Sequence, residues 1–147
     1  MEWNAQWLVV GQVALAMLLG GAVGYERELK DRPAGFRTHM LVAGASALLV
    51  GIGRLAITSG GFDGGGERLQ IDPLRLIEAV VAGVAFIGAG TIFSRRGDGA
   101  IAGITTAASL LMVAVLGVAT GLGVYLVAIA ATVLTLVVLT VLRVLER

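Results

Sequence analysis

The stretch YERELKDRPAGFRTHM, Tyr25 to Met40, lies between two runs that are almost wholly apolar. It carries seven ionisable acidic or basic side chains and the chain's one histidine, in a sequence of 147 residues with only 11 basic and 10 acidic residues. A short charged connector between two oily segments predicts a hairpin of membrane helices with the charge at its tip. Within the connector Glu26 and Lys30, Arg27 and Asp31, and Glu28 and Arg32 are each four residues apart. That spacing puts opposite charges on neighbouring turns of a helix, so the first helix is expected to continue past the hydrocarbon. Pro33 stops it, the Pro33-Ala34-Gly35 sequence makes the turn, and Thr38 is placed to cap the returning helix. Glu26 falls at the lip of the hydrocarbon, while Arg37 and His39 enter the next span. Ionisable groups at such depth need partners, so a Glu26–Arg37 or a Glu26–His39 pair is expected. Such a cluster either clamps the helices or handles an ion.

The rest of the composition agrees with a membrane class. The chain is 57% hydrophobic and 14% charged, with a mean hydropathy of +0.92. Soluble domains are about 45–50% apolar and about 25% charged. A net charge of +1 and the lack of any basic run with interleaved aromatics give no case for nucleic acid. With no cysteine and a single histidine, disulfides, thiolate metal sites and a zinc centre are not expected. No Lys or Arg precedes the first apolar run, so that run reads as a retained helix and not as a signal peptide.

The expected architecture is an all-α integral membrane protein of about five transmembrane helices in a single domain, residues 1–147. The spans run over about 6–24, 38–57, 76–93, 100–118 and 121–142. The last two come from one apolar segment that would be roughly 65 Å long as a single helix; the break is placed at Ala119-Thr120-Gly121. Five spans put the termini on opposite sides. Arg27, Lys30, Arg32, Arg37, Arg95, Arg96, Arg143 and Arg147 then share one side, against Arg54, Arg68 and Arg75 on the other. The positive-inside rule therefore predicts an external N-terminus and a cytoplasmic C-terminus. The glycine-rich Ser59–Gln70 segment becomes an external loop; no Gly-Lys-Ser/Thr follows it, so it is not a phosphate loop.

Sliding the sequence by 68 residues aligns Val13 with Val81, Gly20 with Gly88, Arg27 with Arg95, Ala34-Gly35 with Ala102-Gly103, Thr38 with Thr106 and Gly53 with Gly121. Two hairpins of the same orientation, a parallel repeat with a fifth helix added, account for this match; the alternative is chance likeness among helices of limited alphabet. Gly20 and Gly24, the Ala43, Ala47 and Gly51 row, Ala79 and Gly83, Ala85 and Ala89, and Gly103 and Ala107 are spaced for close helix packing. Asp72 and Pro73 suit the N-cap and first turn of the third helix. Polar groups inside the spans are few: Ser46, Thr91, Thr105, Thr106 and Ser109. The Gly88-Ala89-Gly90-Thr91 stretch either exposes backbone to an ion or forms a packing notch.

With these residues together, the sequence resembles the MgtC/SapB family of bacterial inner-membrane proteins. The likeness is carried by Leu18 to Leu48, by Asp72-Pro73 with Arg75, by Val80 to Phe93 and by Gly103 to Leu110. The family motif falls on Glu26, Arg27, Glu28, Pro33, Gly35, Arg37, Thr38 and His39, then on Asp72, Arg75, Gly83, Gly88, Gly90, Gly103, Thr105 and Thr106. The resemblance implies a multi-pass inner-membrane protein linked to magnesium homeostasis and, in pathogens, to virulence. It implies regulation of membrane partners such as a transporter or the ATP synthase, with direct Mg²⁺ transport as the alternative. Many members carry a soluble C-terminal domain; ending at Arg147, the chain reads as the membrane domain alone. Mg²⁺ takes oxygen ligands and keeps several waters, and Glu26, Glu28 and Asp72 are the candidate ligands. No acidic residue is expected near the bilayer centre, and Mg²⁺ would enter as ligand or substrate with no resident cofactor. The small-residue faces also suit a homo-oligomer in membrane lipid. With no nucleophile–base pair or nucleotide fingerprint in the sequence, no enzymatic activity is expected.

Overall fold

The computed structural model describes residues 3–58, 72–93 and 103–145, which form five α-helices. They are α1 (Trp3–Glu28), α2 (Phe36–Thr58), α3 (Pro73–Phe93), α4 (Ile104–Gly121) and α5 (Tyr125–Leu145). Among the described residues, α1 to α4 are each long and apolar enough to cross a bilayer; the apolar stretch of α5, Tyr125–Val141, is shorter. The chain is a multi-pass, all-helical membrane protein. The Ser59–Gln70 loop, Ala102, Arg68, Arg95, Arg96 and Arg147 lie outside the described residues, as does the side chain of Arg143.

The helix ends depart from the sequence-based boundaries for identifiable reasons. The first helix runs through its charges to Glu28, and then Asp31 takes a left-handed conformation (φ 51°). The Arg32 N–H donates to the Arg27 carbonyl at 3.1 Å and the Asp31 N–H to that of Glu28 at 3.0 Å. This pairing satisfies carbonyls that a helix end otherwise leaves bare, and Asp is one of the few residues besides glycine that adopt such a φ readily. The same device ends α4. Gly123 (φ 82°) donates to Thr120 and Val124 donates to Ala119. The break between α4 and α5 therefore falls at Leu122–Val124, not at Ala119-Thr120-Gly121, because Gly121 stays helical and Gly123 makes the turn.

The bundle is organised around α2. Its Ala43 meets Gly20 of α1 on one side, where an added Cβ would lie 2.7 Å from that of Ala43. On the other side the Ala43 carbonyl presses on Gly117 of α4. One turn further on, Gly121 packs on Ala47 and Val50, and Gly51 packs on Val9. Small residues let backbones approach where lipid gives the helices no hydrophobic reason to associate. The buried stripe of α1 is Val9, Gln12, Ala16, Gly20, Val23 and Arg27, at spacings of three or four. α5 rests on α1 and α4 through Ala128, Thr132, Thr135 and Leu139. α3 leans mainly on α4 and touches α2 lightly.

The 68-residue register survives in three dimensions. Gly20 packs on the His39 backbone, and Gly88 packs on Ala107, with 3.3 Å between an added Cβ and that of Ala107. Gly35 and Gly103 each precede the returning helix, and their carbonyls accept the N–H of His39 and Ala107 respectively. The expected packing at Ala79 and Gly83 is not made. Gly83 has nothing within 4 Å of an added Cβ, because α3 turns its Gly88 face to α4 and leaves Ala79 and Gly83 lining an open groove of about 390 Å³ beside α2.

Candidate functional site: a buried charge clamp at the first hairpin

The last turn of α1 brings Glu26 and Arg27 into the protein, both buried. Arg27 Nε donates to Glu26 Oε2 at 2.5 Å, and Lys30 Nζ donates to Glu26 Oε1. Lys30 also donates to the Leu139 carbonyl of α5 at 2.9 Å. One carboxylate thus pairs with two cations, and the second cation ties the end of α1 to α5. Basic groups at this helix end also complement its negative dipole. The expected Glu26–Lys30 pairing is present. The expected partners Arg37 and His39 are not those of Glu26: Arg37 is exposed, and both nitrogens of His39 are engaged elsewhere. Arg27 turns to its neighbour Glu26, not to Asp31, because the chain leaves helical geometry before Asp31.

Glu28 caps α2. Its Oε2 accepts the Phe36 N–H at 2.8 Å, eight residues along the chain. Gly35 makes room for that approach, since an added Cβ would lie 2.7 Å from Glu28 Oε2. The cap is therefore supplied from α1, and Thr38, expected in that role, sits half-buried inside the helix. Tyr25 and Phe36 close the outside of the turn with an edge-to-face contact at 6.4 Å.

His39 is fully buried. Gly20 and Gly24 of α1 clasp it: an added Cβ on Gly24 would lie 2.8 Å from the His39 Cβ. Its Nδ1 lies 2.9 Å from the Gly35 carbonyl oxygen and its Nε2 lies 3.0 Å from Ser109 Oγ on α4. Ser109 donates to the Thr106 carbonyl at 2.8 Å. Thr106 is buried and Thr105 exposed, the latter beside Ser109 along a groove of about 310 Å³ between α4 and α5.

The remaining candidates lie apart. Asp72, at the other end of the bundle, accepts the Leu74 N–H at 2.9 Å and is the expected N-cap of α3. Arg75 is exposed near it. Gly88 is a packing notch for Ala107, while Gly90 is exposed with nothing within 4 Å. Glu26, Glu28 and Asp72 do not converge, and no group of three metal-binding side chains occurs among the described residues.

Besides the Lys30–Leu139 bond, three polar contacts had no signal in the sequence. Ser109 meets His39 across 70 residues. Arg54 donates to the Gly121 carbonyl at 2.9 Å, capping the C-terminal end of α4. Gln12, buried in α1, donates to the Tyr125 hydroxyl at 2.9 Å, and its Oε1 has no partner among the described residues.

A helical membrane protein built from two like hairpins, with a buried charge clamp at the tip of the first, is the class these features define. The chain belongs to the MgtC family, whose model matches residues 13–147. It is 36% identical over 125 residues to the protein SapB of Bacillus subtilis (85% of this chain, 52% of SapB). It is 38% identical over 132 residues to the "Putative magnesium transporter YhiD" of Escherichia coli K12 (88% of this chain, 58% of that protein). It is 36% identical over 143 residues to the protein MgtC of Brucella abortus (97% of this chain, 55% of MgtC). The chain spans a little over half the length of these relatives. No solved structure matches it.

Proposed function

We propose that this protein serves magnesium homeostasis in the bacterial inner membrane by regulating membrane partners, with its N-terminus outside and the charged hairpin tip in the cytoplasm. The carrying observation is the state of Glu26. It is the acidic group expected at the lip of the hydrocarbon, and both its oxygens are taken by Arg27 and Lys30. A carboxylate so paired holds Lys30 in place against α5 and has little left for Mg²⁺, which demands octahedral oxygen coordination. The family membership and the relative that carries magnesium transport in its name support the link to that ion. Direct transport is the competing reading, favoured by that name alone.

A photo-crosslinker placed at Phe86, which is 83% exposed on α3, tests the regulatory reading in native membranes. A reproducible adduct with a membrane transporter or an ATP synthase subunit, competed by the unlabelled protein, is expected. Adducts with a second copy of the chain alone would remove the basis for action on partners.

A further inference from the structure

We propose that His39 and Ser109 form a proton-binding latch between α2 and α4, in which one hydroxyl proton reports whether the imidazole is charged. The argument starts from the two oxygens the ring meets. The Gly35 carbonyl can only accept, so Nδ1, 2.9 Å away, must carry a proton in any comfortable state. The neutral tautomer protonated at Nε2 would set the Nδ1 lone pair against that oxygen and is excluded. Two states remain. In the neutral ring Nε2 is bare, and the Ser109 hydroxyl must turn to donate to it, giving up Thr106. In the charged ring Nε2–H donates to Ser109 Oγ, and the hydroxyl proton is free to rest on the Thr106 carbonyl. Both arrangements are open to the Ser109 hydroxyl where it stands: its Oγ lies 3.0 Å from Nε2 and 2.8 Å from the Thr106 carbonyl oxygen.

Several features make this a latch and not a routine core histidine. The ring belongs to the chain's one histidine, is fully buried, and has both nitrogens engaged, Nδ1 by the Gly35 carbonyl and Nε2 by Ser109. The part free to change is the Ser109 hydroxyl. A serine bonded back to the carbonyl of the preceding turn bends its helix slightly, so moving that bond alters α4 at Thr106–Ser109. Ala107, which receives Gly88 of α3, lies in that same turn. Proton binding at His39 is thereby coupled to the seat of the second hairpin. Uptake forms one N–H bond at Nε2 and breaks one O–H bond of the hydronium that supplies the proton, which leaves as water. Ser109 forms part of the wall of the groove between α4 and α5.

The charged groups that bear on the ring come from α1. Glu26 and Arg27 interact with it electrostatically, and Lys30 is bonded to Glu26. On its own helix Arg37 is exposed, and α4 has no ionisable residue from Ile104 to Gly121. Arg75 and Glu78 of α3 and Tyr125 of α5 lie toward the opposite end of their helices. The latch is independent of whether the protein regulates partners or carries an ion.

The single histidine makes the test clean. Uniformly ¹³C,¹⁵N-labelled protein in lipid nanodiscs is titrated with acid while the imidazole nitrogens and the Thr106 carbonyl carbon are followed by NMR. The expected result is Nδ1 protonated throughout, Nε2 unprotonated at alkaline pH and protonated at acid pH, with the Thr106 carbonyl shift following the same curve. In Ser109→Ala the carbonyl should stop following the ring, and in Ser109→Thr it should still follow. A ring that does not titrate, a neutral ring protonated at Nε2, or a Thr106 carbonyl indifferent to the ring in the unsubstituted protein would each overturn the proposal. The last three readings need no variant, so they hold even if Ser109→Ala does not fold.

Discussion

The two hairpins share a backbone plan and differ in what they bury. In each, a glycine of the outgoing helix packs on the residue 19 positions later, Gly20 on His39 and Gly88 on Ala107. In each, a glycine precedes the returning helix. Yet α1 and α2 enclose the ionisable Glu26, Arg27 and His39, whereas α3 and α4 bury the hydroxyl groups of Thr106, Ser109 and Thr120 and no ionisable side chain among the described residues. The first hairpin is held by close backbone contact between α1 and α2, and its charge clamp ties the end of α1 to α5. The second keeps the crossing point and leaves much of α3 facing lipid. The difference teaches that the repeat supplies a frame, and buried ionisable groups have been added to one copy of it.

Substitutions at matched positions should break that comparison most sharply. Gly20→Val drives a side chain into the His39 carbonyl, 2.6 Å from even a Cβ, and backbone cannot give way. A cost of about 3 kcal/mol or more is expected from overpacking, read as loss of folded protein by size-exclusion and thermal melting. Gly88→Ala meets a methyl at 3.3 Å and should shift melting only a little. Equal losses at both positions would show that the hairpins are equally tight.

Next in size is the clamp. Glu26→Ala leaves Arg27 buried beside Lys30 with no counter-charge. Breaking a buried pair costs about 3–5 kcal/mol, and partial exposure of Lys30 brings the expected value to the lower end of that range or below. Thermal melting of Glu26→Ala against Glu26→Ala with Lys30→Met separates pair loss from an orphaned cation: the double variant should recover part of the loss. No recovery would mean that Lys30 holds α5 without help from Glu26.

The caps should give smaller and nearly equal effects. Glu28→Ala and Asp72→Ala each remove one acceptor from a helix N-terminus, for roughly 1 kcal/mol apiece. Because Glu28 reaches across the turn, its loss should also speed amide exchange at Phe36. Least of all is Gly83→Ala, with open space where the methyl goes. Unchanged melting is expected; a clear loss would mean that the groove beside α2 is filled in the folded protein.

Much of this was legible in the sequence. The alternation of apolar runs and charged connectors gave five helices, and the 68-residue match gave the hairpin repeat, since glycines at helix crossings leave a fixed spacing. Asp72 was readable as a cap because its acceptor lies two residues from the donor. The clamp was half readable: Glu26 and Lys30 share a helix face, but Arg27 turned to its neighbour because Asp31 ends the helix one turn early. Ser109 and the Lys30–Leu139 bond were not readable, since each joins segments about 70 or more residues apart through packing alone. The Glu28 cap was missed for a smaller reason. Thr38 has the side chain of a cap, and only the folded chain shows that Gly35 lets a carboxylate from α1 arrive first.

Whether the clamp is structure or ion site is the central claim, and Mg²⁺ flux into sealed proteoliposomes tests it most directly. Flux no greater than in protein-free vesicles, from protein shown to be folded, is the result expected of a Glu26 held by Arg27 and Lys30. Saturable flux that Glu26→Gln abolishes while leaving the melting temperature unchanged would contradict it.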